Sequence, residues 1–415
     1  MLSPRYLSNV IEELALDHGK MAFISGPRQC GKTSVGRLLA SDRGSVRYAN
    51  WDQTEFRRLW AKSPGSCLPP EISASGVEKP LLILDEIHKA RHWKRTLKGI
   101  YDTLASPCDI VVTGSARLNT FKKGSDSLLG RYFQFRLHPF SIAETVSVSA
   151  ASHATPESAL ENILRRSVRT GRSENQEAFE RLFRFGGFPE VFLKGSERFS
   201  AVWRRSRIEK LVREDLRDLS RIQELSQVET LVALLPERVS GLLSLQSLRE
   251  DLEVSHPTVK NWLNYLKELY YCFELKPRAS SIPRALKKEG KIYLWDWAEV
   301  EEPAARFENL VASHLLKACH FWTDSGYGTF DLHYLRDKQK REVDFLLTRN
   351  RKPWLAVEAK LSDLQPSSSL IALGRHFPGI PKIQIVKTPG VWKVVRVGDD
   401  TVHLVNAADA LAGWV

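Results

Sequence analysis

The chain reads as a multidomain α/β protein whose first part is a parallel three-layer core. Three observations predict this. Gly26-Pro-Arg-Gln-Cys-Gly-Lys-Thr33 fits G-x-x-x-x-G-K-[ST], a phosphate-binding loop, and sits between an apolar β-prone run and a helix-spaced one. Apolar runs of strand length then alternate with helix-spaced stretches up to Phe140. The C-terminal third changes to β-rich segments that carry carboxylates. At 415 residues the chain exceeds one ordinary core, so about two to four domains are expected.

Within the loop, Gly26 and Gly31 allow the backbone to wrap phosphate oxygens, and the following helix offers its N-terminus. Pro27, Arg28, Gln29, Cys30 and Ser34 complete the cradle. Lys32 reaches the β- and γ-phosphates of a bound ATP, and the Thr33 hydroxyl ligates Mg2+. Before the loop, Tyr6 to Leu16 reads as a short helix and Met21–Ser25 as a strand; Ser34–Ala40 has helical spacing. Ser45–Ala49 is a second strand. Pro80-Leu-Leu-Ile-Leu-Asp-Glu86 is a third, ending in two carboxylates about fifty residues after the loop. That strand brings Asp85 to the metal shell and Glu86 to the attacking water.

Asp109-Ile-Val-Val-Thr-Gly-Ser115 is expected between the loop strand and the Asp85 strand. Ser115 is the first choice for a γ-phosphate sensor and Thr113 the second. Arg131, before the strand Tyr132–Leu137, is placed either to reach a neighbouring subunit's ATP or to sit on a basic solvated surface. A trans role implies a ring-shaped homo-oligomer.

Residues 145–180 are weakly patterned and are read as a helical connection; Phe185-Gly-Gly-Phe-Pro-Glu190 is a turn, and Trp203 to Leu243 a helical bundle. Leu245–Leu252 and Pro257–Tyr270 resemble a helix-turn-helix, with Cys272–Lys276 starting a wing; such a module enters a groove or mediates subunit contacts. Lys291–Asp296 is expected as a strand and Arg306–Lys317 as an amphipathic helix. Three strands follow at 331–336, 341–348 and 354–361, then a helix near Ser367 and closing strands at 382–386 and 391–397. Strand alternation sends Glu358 and Lys360 to one face, where Asp344 of the adjacent strand can join them. Two such carboxylates can hold one Mg2+ or Mn2+, Glu308 can add a ligand, and Lys360 can orient or deprotonate a water.

Composition adds limits. The 42% hydrophobic fraction suffices for packed domains. Lys and Arg outnumber Asp and Glu by 61 to 49, and the net charge of +12 points to nucleic acid or another polyanion. Cysteines at 30, 67, 108, 272 and 319 form no C-x-x-C pair, which argues for a reducing compartment and against zinc. Residues 1–14 carry charges where a signal peptide is apolar, and no run nears the ~18 apolar residues of a membrane span. A cytoplasmic protein without a membrane partner is expected.

Gly26–Thr33, Leu82-Ile-Leu-Asp-Glu-Ile-His88, Val112-Thr-Gly-Ser115, Leu129-Gly-Arg131 and Gly186-Gly-Phe-Pro-Glu190 occur in that order. This looks like the prokaryotic AAA-superfamily ATPases with a C-terminal domain of unknown function. That domain is similar to the PD-(D/E)xK, or restriction-endonuclease-like, nucleases, matched here by Glu308, Asp344, Glu358 and Lys360. The resemblance implies an AAA-type core at 1–150, a helical lid at 151–235, a winged-helix module at 236–282 and a nuclease-like domain at 283–415. The function expected is an ATP-hydrolysing DNA-binding protein acting on branched or unusual DNA, in repair, recombination or defence, by cutting or by binding alone. The other expectation is an ATP-controlled signalling or toxin-type switch whose C-terminal modules bind a protein.

Overall fold

The apolar runs of the N-terminal region become five parallel strands: β1 (Met21–Ser25), β2 (Val46–Asn50), β3 (Leu81–Asp85), β4 (Asp109–Gly114) and β5 (Tyr132–Arg136). Their order is β2-β3-β4-β1-β5, so β4 lies between the loop strand and the Asp85 strand, as the sequence suggests. Strands β1, β3 and β4 are buried at every position, which is why they read as unbroken apolar runs. The computed structural model describes residues 4–41, 43–69, 79–114, 128–165, 172–216, 224–278, 289–374 and 376–415. It divides into two compact units, Met1–His138 and Pro139–Val415.

In the first unit the phosphate loop runs directly into the helix Lys32–Leu39, two residues earlier than the spacing suggests. Gly31 caps this helix at φ 98, a left-handed conformation open to glycine, and so the first helical amides face the loop. One face of the sheet buries Phe23, Leu82, Leu84 and Val112 against Phe56, Trp60, Trp93 and Leu97 of the helices Thr54–Lys62 and Trp93–Asp102. The expected N-terminal helix is present as Ser8–Ile11, continued by a wider π-turn over Glu12–Leu16. Just before it, Arg5 donates to the carbonyls of Cys30 and His138, and Tyr6 Oη donates to the Arg136 carbonyl at 2.8 Å. These bonds tie the loop to the chain leaving β5.

The second unit opens with helices, the longest of them Ser173–Phe185 and Glu197–Lys210. The Gly186-Gly187 turn between them is a packing requirement. A Cβ on Gly187 would meet the Trp297 ring and the Phe140 carbonyl, and Gly186 (φ 82) lies against Asp296. The helices Leu225–Leu234, Leu245–Leu252 and His256–Glu268 follow; the last two start at Ser244 and Ser255, whose side chains accept from the amides of Ser247 and Thr258. Next come β6 (Cys272–Leu275) and β7 (Lys291–Leu294), paired antiparallel with Leu275 opposite Lys291.

The sequence reading expects Lys291–Asp296 as a strand within 283–415 and names no partner for it; the partner is β6. Strand patterning marks a strand but not its partner. The remaining sheet is six-stranded, in the order β12-β13-β11-β10-β9-β8. Its strands are β8 (Phe330–Arg336), β9 (Glu342–Arg349), β10 (Lys352–Lys360), β11 (Lys382–Val386), β12 (Trp392–Val397) and β13 (Asp400–Asn406). Helix Pro303–Asp324 packs on this sheet, and helix Ser368–Gly374 joins β10 to β11. The chain does not close on 391–397. β13 turns back through Gly398 (φ 61) and Asp399 and inserts between β12 and β11, and helix Ala407–Ala412 follows. Gly-Asp between two strand runs is a two-residue hairpin signal that the expectation overlooked.

Candidate active site

The loop's shape is set by close approach. A Cβ on Gly26 would run into the Leu137 carbonyl oxygen, and one on Gly31 would stand 2.8 Å from the Arg5 guanidinium. Gln29 also takes a left-handed turn, at φ 62, while Cys30 is buried and turns its thiol toward the Leu137 carbonyl. Pro27 is buried, Arg28, Thr33 and Ser34 are half-buried, and Gln29 is exposed at the loop's tip. Lys32 arches back over the loop, its Nζ donating to the carbonyls of Gly26 (2.9 Å) and Pro27 (2.7 Å). Its ammonium is therefore held at the mouth of the cradle.

Register carries the next residues to the same end of the sheet. Asn50 of β2 pairs with Asp85 of β3, which pairs with Thr113 of β4. Asp85 is 5% exposed and saturated with donors: Thr33 Oγ1 at 3.0 Å, Tyr48 Oη at 2.5 Å, Asn50 Nδ2 at 3.3 Å, and Thr113 Oγ1. Tyr48 and Asn50 were missed from sequence. Once β2 is placed beside β3, a two-residue alternation aims both at Asp85.

Glu86 differs from Asp85 in kind. It leaves the strand at φ 57, with its amide donating to the Thr113 carbonyl at 2.9 Å. Its Oε2 is buried without a hydrogen bond, 3.6 Å from both His88 Nε2 and Lys89 Nζ. Burial pushes this carboxyl above the usual carboxylate range, against the pull of Lys32 and Lys89. One carboxylate is locked by four donors, and the other is under-bonded and held above the usual carboxylate range. This division suits a metal-shell residue beside a water-activating base.

The Thr33 hydroxyl and the Asp85 carboxylate, 3.0 Å apart, fit a hard oxygen-seeking cation such as Mg2+. Mg2+ bound with ATP supplies charge neutralisation at the phosphates. Ser115 lies outside the described residues; Thr113, the second choice, touches Asp85. Arg131 does not join this site. Its carbonyl accepts from the Met21 amide at the start of β1, whereas the loop follows the end of β1, a five-residue strand or roughly 17 Å away. There it holds Asp102 bidentately, at 2.6 and 2.9 Å.

The second group of expected residues does converge in the C-terminal sheet. Asp344 and Glu358 are buried; Asp344 Oδ2 accepts the Ala359 amide (3.0 Å) and Glu358 Oε2 the Asp344 amide (3.2 Å). Lys360 pairs with Glu358 at 2.9 Å. Glu308 accepts from Tyr293 Oη at 2.7 Å. Burial first, and the charge of Asp344 second, push Glu308 up to about 8 and Glu358 to about 7. Two further residues were not anticipated: Lys291 of β7 and Glu342 of β9. Lys291 Nζ stands 2.5 Å from Glu342, 3.1 Å from Glu308 and 3.5 Å from Asp344. The expected divalent cation does not fit this arrangement, because an ammonium already sits among the carboxylates. Among the described residues, no group of three or more His, Cys, Asp or Glu is disposed to hold a metal ion.

The parallel sheet, the phosphate loop and the Asp85-Glu86 strand end define a P-loop ATPase core of the AAA type. Residues 18–146 match the AAA domain family, and two domains of unknown function follow, DUF8612 over 176–298 and DUF4143 over 304–405. The chain is similar along its length to uncharacterized protein Rv2008c of Mycobacterium tuberculosis, at 22% identity over 96% of this chain and 84% of that one. It is likewise similar to MJ1544 of Methanocaldococcus jannaschii, at 21% identity over 95% of this chain and 88% of that one. Solved structures with partial likeness include Orc1 of Aeropyrum pernix in complex with DNA, at 16% identity and TM-score 0.28, covering 74% of this chain and 90% of that one. AMPPCP-bound DnaA of Aquifex aeolicus also has TM-score 0.28, at 16% identity over 63% of this chain and 86% of that one. No helix among the described residues is long and apolar enough to cross a membrane.

Proposed function

We propose that this protein hydrolyses ATP as a DNA-binding machine, with the second unit supplying the DNA contacts. The observation that carries the first half is the pairing of a locked Asp85 with an under-bonded Glu86 beside the phosphate loop. Lys32 and Thr33 hold the nucleotide, Asp85 orients the metal shell, and Glu86 takes a proton from the attacking water. Thr113 near the end of β4, touching Asp85, stands where a γ-phosphate sensor belongs, and Ser115, two residues on in the sequence, remains the first choice for that role.

The DNA half is supported by the net charge of +12 and by the two short helices followed by the β6–β7 ribbon. That order matches a winged helix. Between the second helix and the ribbon lies a cleft of ≈ 700 Å³ with His256, Lys260, Lys267 and Lys276 on its walls, tempered by Glu274. A helix followed by three strands, a helix and a strand, as in 303–386, is the order of a restriction-endonuclease-like core. It gives the C-terminal sheet a DNA-binding reading too, with branched DNA as the substrate class. Titrating labelled duplex and four-way-junction DNA from 50 to 200 mM salt tests this. Some six phosphate contacts weaken affinity about 10³-fold over that range. A salt-insensitive or absent interaction sinks the DNA reading and favours a switch that binds a protein partner.

Arg131 fits a trans role. It lies beside the edge strand β5, flanked by Leu129 at 78% exposure and Phe133 at 46%, an apolar surface suited to a second copy of the chain. Arg131→Ala is expected to lower ATPase activity by more than about tenfold without weakening nucleotide binding. Mixing it with the equally inactive Lys32→Ala variant should restore turnover, since one chain supplies the loop and the other the arginine. Failure of the mixture to recover activity would show that Arg131 serves only its Asp102 pair.

A further inference from the structure

Lys291 is the first residue of β7 and 2% exposed, yet it carries a full charge into the C-terminal carboxylate cluster. Its ammonium lies within 3.5 Å of Glu308 from the long helix and of Glu342 and Asp344 from β9. The remaining valences of those carboxylates are also met from within the chain. Tyr293 Oη donates to Glu308, Arg336 holds Glu342 at 2.8 Å, and the Ala359 amide donates to Asp344. The neighbouring Glu358 takes Lys360 at 2.9 Å and Ser367 Oγ at 3.1 Å. Each carboxylate has a fixed protein donor. A divalent ion among them would have to expel a buried ammonium or share a low-dielectric pocket with it, and both are unfavourable.

We infer that Lys291 is the resident cation of this cluster, so that the second unit organises its carboxylates without a divalent metal and engages DNA as a platform rather than as a metal-dependent nuclease. The platform half rests on the DNA-binding reading above; the assignment of Lys291 does not.

The test uses the full-length, nucleotide-free protein and Mn2+, read by electron paramagnetic resonance and by thermal melting in EDTA or Mn2+. Wild type is expected to melt alike in both and to bind no Mn2+ at the cluster. Lys291→Met keeps the hydrocarbon and removes the charge. It should melt lower in EDTA, regain stability with Mn2+ through the freed carboxylates, and bind Mn2+ at least about tenfold more tightly than wild type. Adding Asp344→Asn should abolish that gain. One Mn2+ per wild-type chain that Asp344→Asn removes would overturn the inference, as would Mn2+-dependent cutting of duplex DNA that Asp344→Asn removes. These wild-type arms decide the question even where Lys291→Met fails to fold. DNA affinity equal in EDTA and Mg2+ supports the platform, and affinity lost in EDTA overturns it. No DNA binding in any buffer would sink the DNA reading and leave the Mn2+ measurements to judge Lys291.

Discussion

Glu86→Gln is expected to cut ATP turnover by about 10²–10⁴-fold while nucleotide still binds, because the change removes a base and leaves the cradle intact. The loop, Lys32 and the Thr33–Asp85 pair make no hydrogen bond to the Glu86 side chain. Glu86 Oε2 also lacks a hydrogen bond of its own, so an amide there costs the fold little. Steady-state phosphate release together with binding of a fluorescent ATP analogue checks both halves. Loss of binding in step with turnover would show that Glu86 shapes the pocket, and undiminished turnover would remove it as the base. Asp85→Asn should behave differently. It disturbs a carboxylate that Thr33, Tyr48, Asn50 and Thr113 all address, so nucleotide affinity and turnover should fall together.

Lys317→Met should destabilise the second unit by about 3–5 kcal/mol. Lys317 and Glu144 are 2% and 0% exposed at their side chains and lie 2.7 Å apart. The ammonium also donates to Ser141 Oγ at 2.8 Å and to the Pro139 carbonyl at 3.3 Å. Removing the lysine alone takes from a buried carboxylate the ammonium 2.7 Å away from it, which is the costly case. For a unit of this size the loss is worth roughly 10 °C in melting temperature. The double change Lys317→Met/Glu144→Leu should recover most of it, since neither charge then remains buried. A single variant that melts like wild type would mean that Glu144 is compensated without Lys317.

The first unit was legible because its signals are local. The glycine spacing of the loop and the apolar runs of β1, β3 and β4 each declare themselves within a few residues. Asp85 followed from standing at the end of such a run. Tyr48 and Asn50 did not, because their part depends on β2 lying beside β3, and the sequence of β2 alone has no reason to say so. The C-terminal sheet showed the same limit. The β-rich segments expected at 331–336, 341–348 and 354–361 lie within two residues of β8, β9 and β10, and Asp344 and Glu358 follow from their faces. Lys291 reads in sequence as the charged end of a short strand, and only the packing of β7 against the long helix and β9 makes it the counter-ion of three carboxylates. β13 was lost because β12 reads as a plausible last strand, although its outward-facing Val394, 55% exposed, marks an edge.

The β6–β7 ribbon bears on how this protein can be divided. β6 belongs by sequence to the helix pair before it, and β7 reaches the carboxylates after it through Lys291, with residues 279–288 between the two strands. A recombinant fragment ending near residue 282 would leave β6 with a bare edge, and one starting near 283 would keep the lysine on an unpaired strand. The helix pair and the C-terminal sheet are therefore expected to unfold in one transition: truncation or domain exchange between them should yield two unstable halves rather than two working parts.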